Sequence, residues 1–206
     1  MLVHVSVDHD RVTECVPKIG PIGARRTALA GVVGKWPNAN TRKLLEHLVI
    51  QDDFYGIRGD ALQALAEKWP DETTRELLAQ RAVQDDHGSP RCAALQALAE
   101  KWPDETTREL LAQRAVQDDH EPPRCAALRA LAEKWSDETT RDLLAQRAVR
   151  DKDACPRRAA FQALAEKWPD ETTLKVLEVR AAKDESAWVK QKAERLAKEL
   201  KEKLQA

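Results

Sequence analysis

One glycine-lysine pair, Gly34-Lys35, is the only place where this 206-residue chain approaches a phosphate-binding loop. Such a loop needs a glycine six residues before the lysine and a Ser or Thr directly after it, because its backbone amides hold the phosphates and its hydroxyl binds magnesium. Leu29 and Trp36 occupy those two positions. The pair therefore does not predict nucleotide binding.

The five histidines could ligate a metal, but their spacing does not favour it. No two of them stand four residues apart, as they would on a zinc-binding helix. His120 and Glu121 form one His-Glu dipeptide, whereas a metal centre built from such pairs needs several that converge. No Ser/His/Asp or Cys/His arrangement stands out either. We therefore expect no metal and no cofactor, and we predict no catalytic residue.

Tryptophans show how the whole chain is organised, because five of the six recur at a constant interval of 33 residues: Trp36, Trp69, Trp102, Trp135 and Trp168. Self-similarity at this period predicts a repeat protein. Residues 70–102 and 103–135 differ at three positions of 33, and residues 136–168 differ from their predecessor at ten. Such close identity between neighbours indicates recent duplication of one repeat.

We predict that residues 1–206 form a single domain made of these repeats. Residues 1–36 form a divergent N-terminal repeat or cap, in which residues 1–21 are a degraded first helix or an irregular cap. Repeats then follow at residues 37–69, 70–102, 103–135 and 136–168. Residues 169–206 form the last repeat, which ends in a long amphipathic capping helix.

The residue pattern of each repeat predicts two helices. Pro70 ends the preceding helix, and either Asp71 or Thr73 caps the next one; the spacing of Thr73 and Glu76 also suits a capping box. The second helix carries an apolar stripe whose intervals fit only a helix. That stripe comprises Ala94, Leu95, Leu98, Ala99 and Trp102. Neither apolar face is wide enough for a helix to be stable alone, so neighbouring repeats must complete the core.

A charged pattern recurs at the turn between the two helices of a repeat. An Asp ends the first helix, an Arg follows six residues later, and Ala-Leu comes three residues after the Arg in most repeats. The pairs are Asp52 and Arg58, Asp85 and Arg91, Asp118 and Arg124, and Asp151 and Arg157.

This spacing resembles the HEAT repeat, and the resemblance covers nearly the whole chain from about Gly23. It implies an all-α fold, a right-handed alpha-alpha superhelix or solenoid. It also implies that these Asp and Arg side chains form a structural ladder, with hydrogen bonds across the turns and between successive repeats. Charge-assisted bonds between Arg and a carboxylate are directional enough to set a stacking angle.

Substitutions between repeats concentrate in the inter-helix turn and at two positions of the second helix. The two helix positions are four residues apart and lie off the apolar stripe, so we expect them on one exposed face. In proteins with HEAT-like solenoids the second helices line the concave surface, and we therefore predict partner contacts there. The predicted partner-binding residues are Gly59, Gln63, Cys92, Gln96, Cys125, Arg129, Arg158 and Gln162.

The leading functional interpretation is a non-enzymatic scaffold or sensor that binds a protein or peptide on its concave face. The sequence of the repeats, with the segments ALQALAEKW-PDETT and RAVQDD, also looks like the repeat tails that follow the nucleotide-binding domain of bacterial NACHT-type signalling ATPases. That resemblance implies recognition of a trigger by the repeats.

Two alternatives belong to other functional classes. One is nucleic-acid binding, as in HEAT-like alkylation-damage glycosylases, and the other is a lyase-like or hydroxylase-like HEAT enzyme. Nucleic-acid binding is disfavoured because Lys and Arg number 34 against 35 Asp and Glu, for a net charge of −1, and because Glu-Lys before each Trp cancels. The enzyme is disfavoured because no His, Glu or Cys set departs from the repeat background.

The sequence also limits the cellular compartments in which we expect the protein. No apolar run approaches the roughly 20 residues that cross a bilayer, and the first residues lack the layout of a secretory signal. Four cysteines without such a signal fit a reducing compartment. We expect a soluble, cytoplasmic monomer that does not bind membranes.

Overall fold

The computed structural model describes residues 21–205, which form 11 helices and no strand. This confirms the all-α class. The cap or degraded helix expected at residues 1–21 lies outside the described residues, except for Pro21. None of the 11 helices is long and apolar enough to cross a membrane.

The helices follow the 33-residue period closely. The first, α1 (Ile22–Lys35), corresponds to the second helix of a repeat, and five helix pairs follow it. The pairs are α2 (Ala39–Gln51) with α3 (Tyr55–Lys68), α4 (Glu72–Gln84) with α5 (Gly88–Lys101), α6 (Glu105–Gln117) with α7 (Glu121–Lys134), α8 (Glu138–Arg150) with α9 (Ala154–Lys167), and α10 (Glu171–Lys183) with α11 (Ala187–Gln205). Such a succession of helix pairs is consistent with an alpha solenoid.

The chain divides into two compact units, one that extends to Ala97 and one that begins at Leu98. We call them the N-terminal half and the C-terminal half. The boundary falls inside α5. Each half is described by itself below.

Aspartate caps the first helix of each of the last four repeats. The Asp71 carboxylate accepts a hydrogen bond from the Thr74 N–H at 3.0 Å, and the backbone of Asp71 is extended. Of the two caps that the sequence allows, the structure therefore selects Asp71. The same bond recurs at Asp104, Asp137 and Asp170. Each such bond satisfies one of the donors that a helix start leaves without a partner.

A tryptophan follows the last residue of α1, α3, α5, α7 and α9. The Trp69 N–H still donates to the Leu65 carbonyl at 2.8 Å, but its own φ and ψ, −135° and 68°, have left the helical region. Pro70 disfavours helical geometry at the residue before it, and it has no N–H to continue the ladder. The Trp69 carbonyl then accepts from the Asp71 N–H at 2.9 Å, which starts the next helix at once.

The core of the C-terminal half lies between first and second helices. Each first helix buries only a narrow stripe, such as Leu144 and Ala148, whereas α7 and α9 bury alanines and large apolar residues on two sides. Helix α9 packs against α7, α8 and α11. The second helices are therefore the central layer on which the neighbouring repeats are stacked.

The last helix, α11, is a continuous 19-residue helix that packs against α9 and α10. Its buried stripe has helical spacing, and Lys and Glu cover most of the rest. The stripe consists of Val189, Ala193, Ala197 and Leu200. One apolar stripe and a charged remainder are what the end of a repeat array requires.

Candidate functional site

The recurring Asp and Arg residues lie at the inter-helix turns and hydrogen-bond from one repeat to the next. In the C-terminal half, the Arg124 Nε and Nη2 atoms donate to the two carboxylate oxygens of Asp151 at 3.1 and 3.0 Å. The Arg124 Nη1 atom donates to the Asp118 carbonyl of its own repeat at 2.8 Å. Both side chains of the ion pair are 2% exposed. One guanidinium thus joins two repeats.

The same geometry recurs in both halves. Arg157 donates to both oxygens of Asp184 at 2.8 and 2.7 Å, and Arg58 donates to both oxygens of Asp85 at 3.0 and 2.7 Å. Each of the two also donates to the carbonyl of the Asp in its own repeat. In the first described repeat, Arg25 pairs with Asp52. We call this row of residues the Asp–Arg ladder.

Each ladder aspartate is also held by its own backbone. The Asp184 carboxylate accepts from the Ser186 N–H at 3.0 Å. The hydrogen bonds from Arg157 and from this N–H hold the pKa of Asp184 below its ordinary value, although burial acts against them. Burial likewise raises the pKa of Asp85, but the donors on Arg58 and the backbone outweigh it and lower the pKa. Asp85 and Asp184 therefore stay ionised at neutral pH, and their carboxylate oxygens accept the hydrogen bonds that join neighbouring repeats.

A second row of ion pairs, which the sequence analysis did not predict, joins neighbouring first helices. Arg108 donates to the cap residue of the next first helix, Asp137, at 2.8 Å, and Arg141 does the same to Asp170 at 2.5 Å. In the N-terminal half Arg42 donates to Asp71. The signal was present as the Arg of the motif DETTR, four residues after each cap. These pairs are more exposed than the ladder, and surface pairs contribute little to stability.

The eight predicted partner-binding residues do not share one degree of exposure. Gln63, Gln96 and Arg129 are exposed, and Cys92, Arg158 and Gln162 are half-buried. The prediction of an exposed position is wrong for Gly59 and Cys125, which are buried. The reason is that the position one residue after the ladder Arg faces the neighbouring second helix. In each half, we call the surface that carries the remaining residues the second-helix face: Gln63, Cys92 and Gln96 in the N-terminal half, and Arg129, Arg158 and Gln162 in the C-terminal half.

Gly59 lies close to α5 without being required there. A Cβ atom at Gly59 would lie 3.7 Å from the Ala93 Cβ and 4.0 Å from the Pro90 Cα, which is ordinary van der Waals contact. Glycine inside a helix costs about 0.5–1 kcal/mol relative to alanine. We therefore expect Gly59→Ala to raise the free energy of unfolding by about 0.5–1 kcal/mol in urea denaturation of the full chain.

Gly56→Ala is the matched control in the same helix. A Cβ atom at Gly56 would lie 2.5 Å from the Phe54 Cε1 atom, so the Phe54 ring must move away from its contact with Tyr55. This control should show no gain in stability. An equal gain in the free energy of unfolding from both substitutions would contradict the finding that Gly59 has room for a Cβ atom and Gly56 does not.

Two thiols lie near each other at the start of α7 and α9, but they are not activated. Burial raises the pKa of Cys125 to about 12. A hydrogen bond with Glu121, together with burial, raises the pKa of Cys155. Because the thiolate is the reactive form, both side chains are poor nucleophiles at neutral pH. Both thiols are therefore uncharged at neutral pH.

Three side chains with potential metal-ligand atoms lie together at one inter-helix turn. Oxygen and nitrogen atoms of Asp118, Asp119 and His120 lie within 4.8 Å of one another, and this is the one such group among residues 21–205. The Asp118 carboxylate already accepts from the His120 N–H at 3.0 Å as part of the ladder turn. The His120 ring lies 3.0 Å from Asp119 rather than beside Glu121. The geometry is that of a repeat turn.

Comparison with known families agrees with the helix pairs. The family described as HEAT repeats matches residues 108–198, a segment of α6 to α11 that lies entirely in the C-terminal half. These helices fit a HEAT-like repeat protein. No curated protein matches the sequence.

The second-helix face differs between the two halves. In the C-terminal half, α7 and α9 enclose a groove of about 450 Å³ that is lined by Arg129, Gln162, three alanines and the charged residues Glu133, Glu166 and Lys167. In the N-terminal half, α1 and α3 enclose a groove of about 710 Å³ that contains Gln63 and the ion pair of Arg26 with Asp60. Arg26 is thus paired within its groove, whereas Arg129 forms no ion pair with another residue among residues 21–205.

Proposed function

We propose that this HEAT-like chain is a non-enzymatic binding module whose second-helix face takes a protein or peptide partner. The observation that carries the proposal is a division of labour among its arginines. Arg124 and Arg157 of the ladder, and Arg108 of a first helix, are engaged in ion pairs with the next repeat. Arg129 and Arg158, which lie on the second-helix face, have no carboxylate within ion-pair distance among residues 21–205.

The variation between repeats supports the same proposal. Scaffold positions repeat almost without change, whereas the position of Arg129 is Ala30, Gln63, Gln96, Gln162 and Arg195 in the other repeats. A residue that varies between repeats and has no role in stacking is available for contacts outside the chain. Arginine is also enriched at the centres of protein interfaces.

The sensor role belongs to the same proposal. It is supported by the likeness of the repeats to the tails of NACHT-type signalling ATPases, in which recognition of a trigger is the expected task. In a module of this kind, binding of the partner at the second-helix face is the sensed event. The rigid ladder then keeps the spacing of the second helices constant during recognition.

Affinity capture from the native host tests the proposal. The wild-type chain is compared with a double charge reversal, Arg129→Glu with Arg158→Glu, and we expect recovery of the partner to fall by about tenfold or more. The matched control is Arg150→Glu with Lys175→Glu, which makes the same change of charge on exposed positions of α8 and α10. Equal recovery with both double variants, each shown to be folded by circular dichroism, would refute a role for the second-helix face.

A further inference from the structure

Three arginines lie on the second helices of the C-terminal half. Arg129 lies on α7, Arg158 on α9 and Arg195 on α11, and α9 packs against both of the other helices. In the N-terminal half the position of Arg129 and Arg195 is occupied by Ala30, Gln63 and Gln96, and Arg26, at the position of Arg158, is paired with Asp60. One cation therefore lies on each of three adjacent helices.

These cations are poorly compensated by the rest of the described chain. Arg129 and Arg158 have no carboxylate within ion-pair distance among residues 21–205. Arg195 pairs only with Glu199, at 3.5 Å, and both side chains are more than half exposed. An exposed pair of this kind on one helix contributes little to stability, so an incoming carboxylate can displace Glu199.

Arg158 is held in place without being neutralised. Its guanidinium lies 3.8 Å from the centre of the Trp188 ring, and its buried Nε atom has no hydrogen-bond partner. The ring face attracts the cation and fixes its direction, but it brings no negative charge. Trp188 itself is 45% exposed. The two side chains thus present a fixed cation beside an accessible apolar surface.

A shallow groove lies between α7 and α9. Its floor is formed by Ala132, Ala159 and Ala163, whose small side chains allow a main chain to approach the helices closely. Arg129 and Lys167 line the groove together with Glu133 and Glu166. An alanine floor with separated charges suits an extended chain that crosses the helices.

We propose that α7, α9 and α11 bind an extended acidic peptide whose Asp or Glu residues recur at about every third position. Neighbouring helices pack roughly 8–10 Å apart, and an extended chain in the polyproline II conformation advances about 3.1 Å per residue and points every third side chain in the same direction. Three residues therefore carry the peptide from one helix to the next, and a carboxylate at every third residue meets Arg129, Arg158 and Arg195 in turn. This inference rests on the proposed function and names the chemistry of the partner.

Nucleic acid fits the same surface less well. Glu133, Glu166 and Glu199 recur on the same three helices, one turn beyond the positions of Arg129, Gln162 and Arg195. A phosphate backbone carries a charge at every nucleotide and would meet these carboxylates. A peptide with separated acidic residues can place neutral residues there instead.

Fluorescence anisotropy with synthetic peptides tests the inference on the full chain at low salt. The probe is a labelled ten-residue peptide with Asp at every third position and Ala or Ser elsewhere. We expect Arg129→Gln and Arg158→Gln each to weaken its binding by about tenfold, which corresponds to one charge-assisted hydrogen bond. Lys175→Gln with Arg150→Gln, on the first helices, should leave the affinity unchanged.

Two further probes make the outcome decisive. A peptide of the same composition with its Asp residues adjacent at one end should bind at least about fivefold more weakly, because only one arginine can then be reached. Equal binding of both peptides, no binding of the spaced peptide up to about millimolar concentration, or tighter binding of a single-stranded oligonucleotide would each overturn the inference.

The capture experiment separates this inference from the proposed function. If the captured partner still depends on Arg129 and Arg158 while the spaced peptide does not bind, the acidic-peptide inference fails and the binding function stands. If neither the captured partner nor the peptide depends on these arginines, both fail.

Discussion

Replacing Arg124 with methionine is expected to lower the free energy of unfolding by about 3–5 kcal/mol, because it removes one partner of a buried ion pair. Methionine keeps much of the apolar stem but none of the donors. The Asp151 carboxylate, 2% exposed, then keeps only the 3.0 Å hydrogen bond from the Asp153 N–H, and the Asp118 carbonyl loses its donor. Urea denaturation of the full chain, followed by circular dichroism, measures the loss.

Two variants show whether the loss comes from the buried charge. Arg124→Met combined with Asp151→Asn should recover part of the stability, since the amide removes the uncompensated charge while its oxygen still accepts from Asp153. Arg195→Met removes an arginine whose ion pair is exposed, and it should cost no more than about 0.5 kcal/mol. Equal costs for Arg124→Met and Arg195→Met would mean that the ladder does not contribute to stability as argued.

Phe161→Ala should be about as damaging, at about 3–5 kcal/mol, because it leaves a large cavity in the central layer. Phe161 is 0% exposed and lies on α9, which packs against α7, α8 and α11. The surrounding helices are held by the ladder, so they cannot close fully around the missing ring. Thermal and urea unfolding of the full chain provide the measurement.

Phe161→Leu is the matched control, since it restores the residue that the preceding repeat has at Leu128. Leucine retains most of the apolar volume, so the cost should not exceed about 1.5 kcal/mol. If Phe161→Ala costs no more than Phe161→Leu, the core around α9 is looser than its burial indicates.

The helix pairs could be predicted because their signals are local. Helix starts recur at residues 39, 72, 105, 138 and 171, the interval at which the tryptophans recur in the sequence. A tryptophan followed by proline ends one helix, and Asp-Glu-Thr-Thr begins the next within a few residues. The choice between Asp71 and Thr73 as the cap depended on backbone angles at the turn, which residue types alone do not specify.

The exposure of the candidate site could be predicted only in part. Periodicity placed Gln63, Gln96 and Arg129 correctly on the surface, because a polar residue opposite an apolar stripe faces solvent on most helices. The same argument failed for Gly59 and Cys125. A second helix of this fold has neighbours on two sides, so part of its polar-looking surface is covered by the adjacent repeat.

By itself, the sequence determined the repeat period, the two helices of each repeat, the short segments in which they begin and end, and the charged residues that recur at the turns. Those features follow from backbone preferences and capping within a few neighbouring residues. The tertiary structure alone decided that Arg124 bonds to Asp151, that Arg108 bonds to Asp137, and that Arg158 lies over Trp188. These contacts join residues 27 to 30 positions apart, so they depend on how each helix is rotated and stacked against the next.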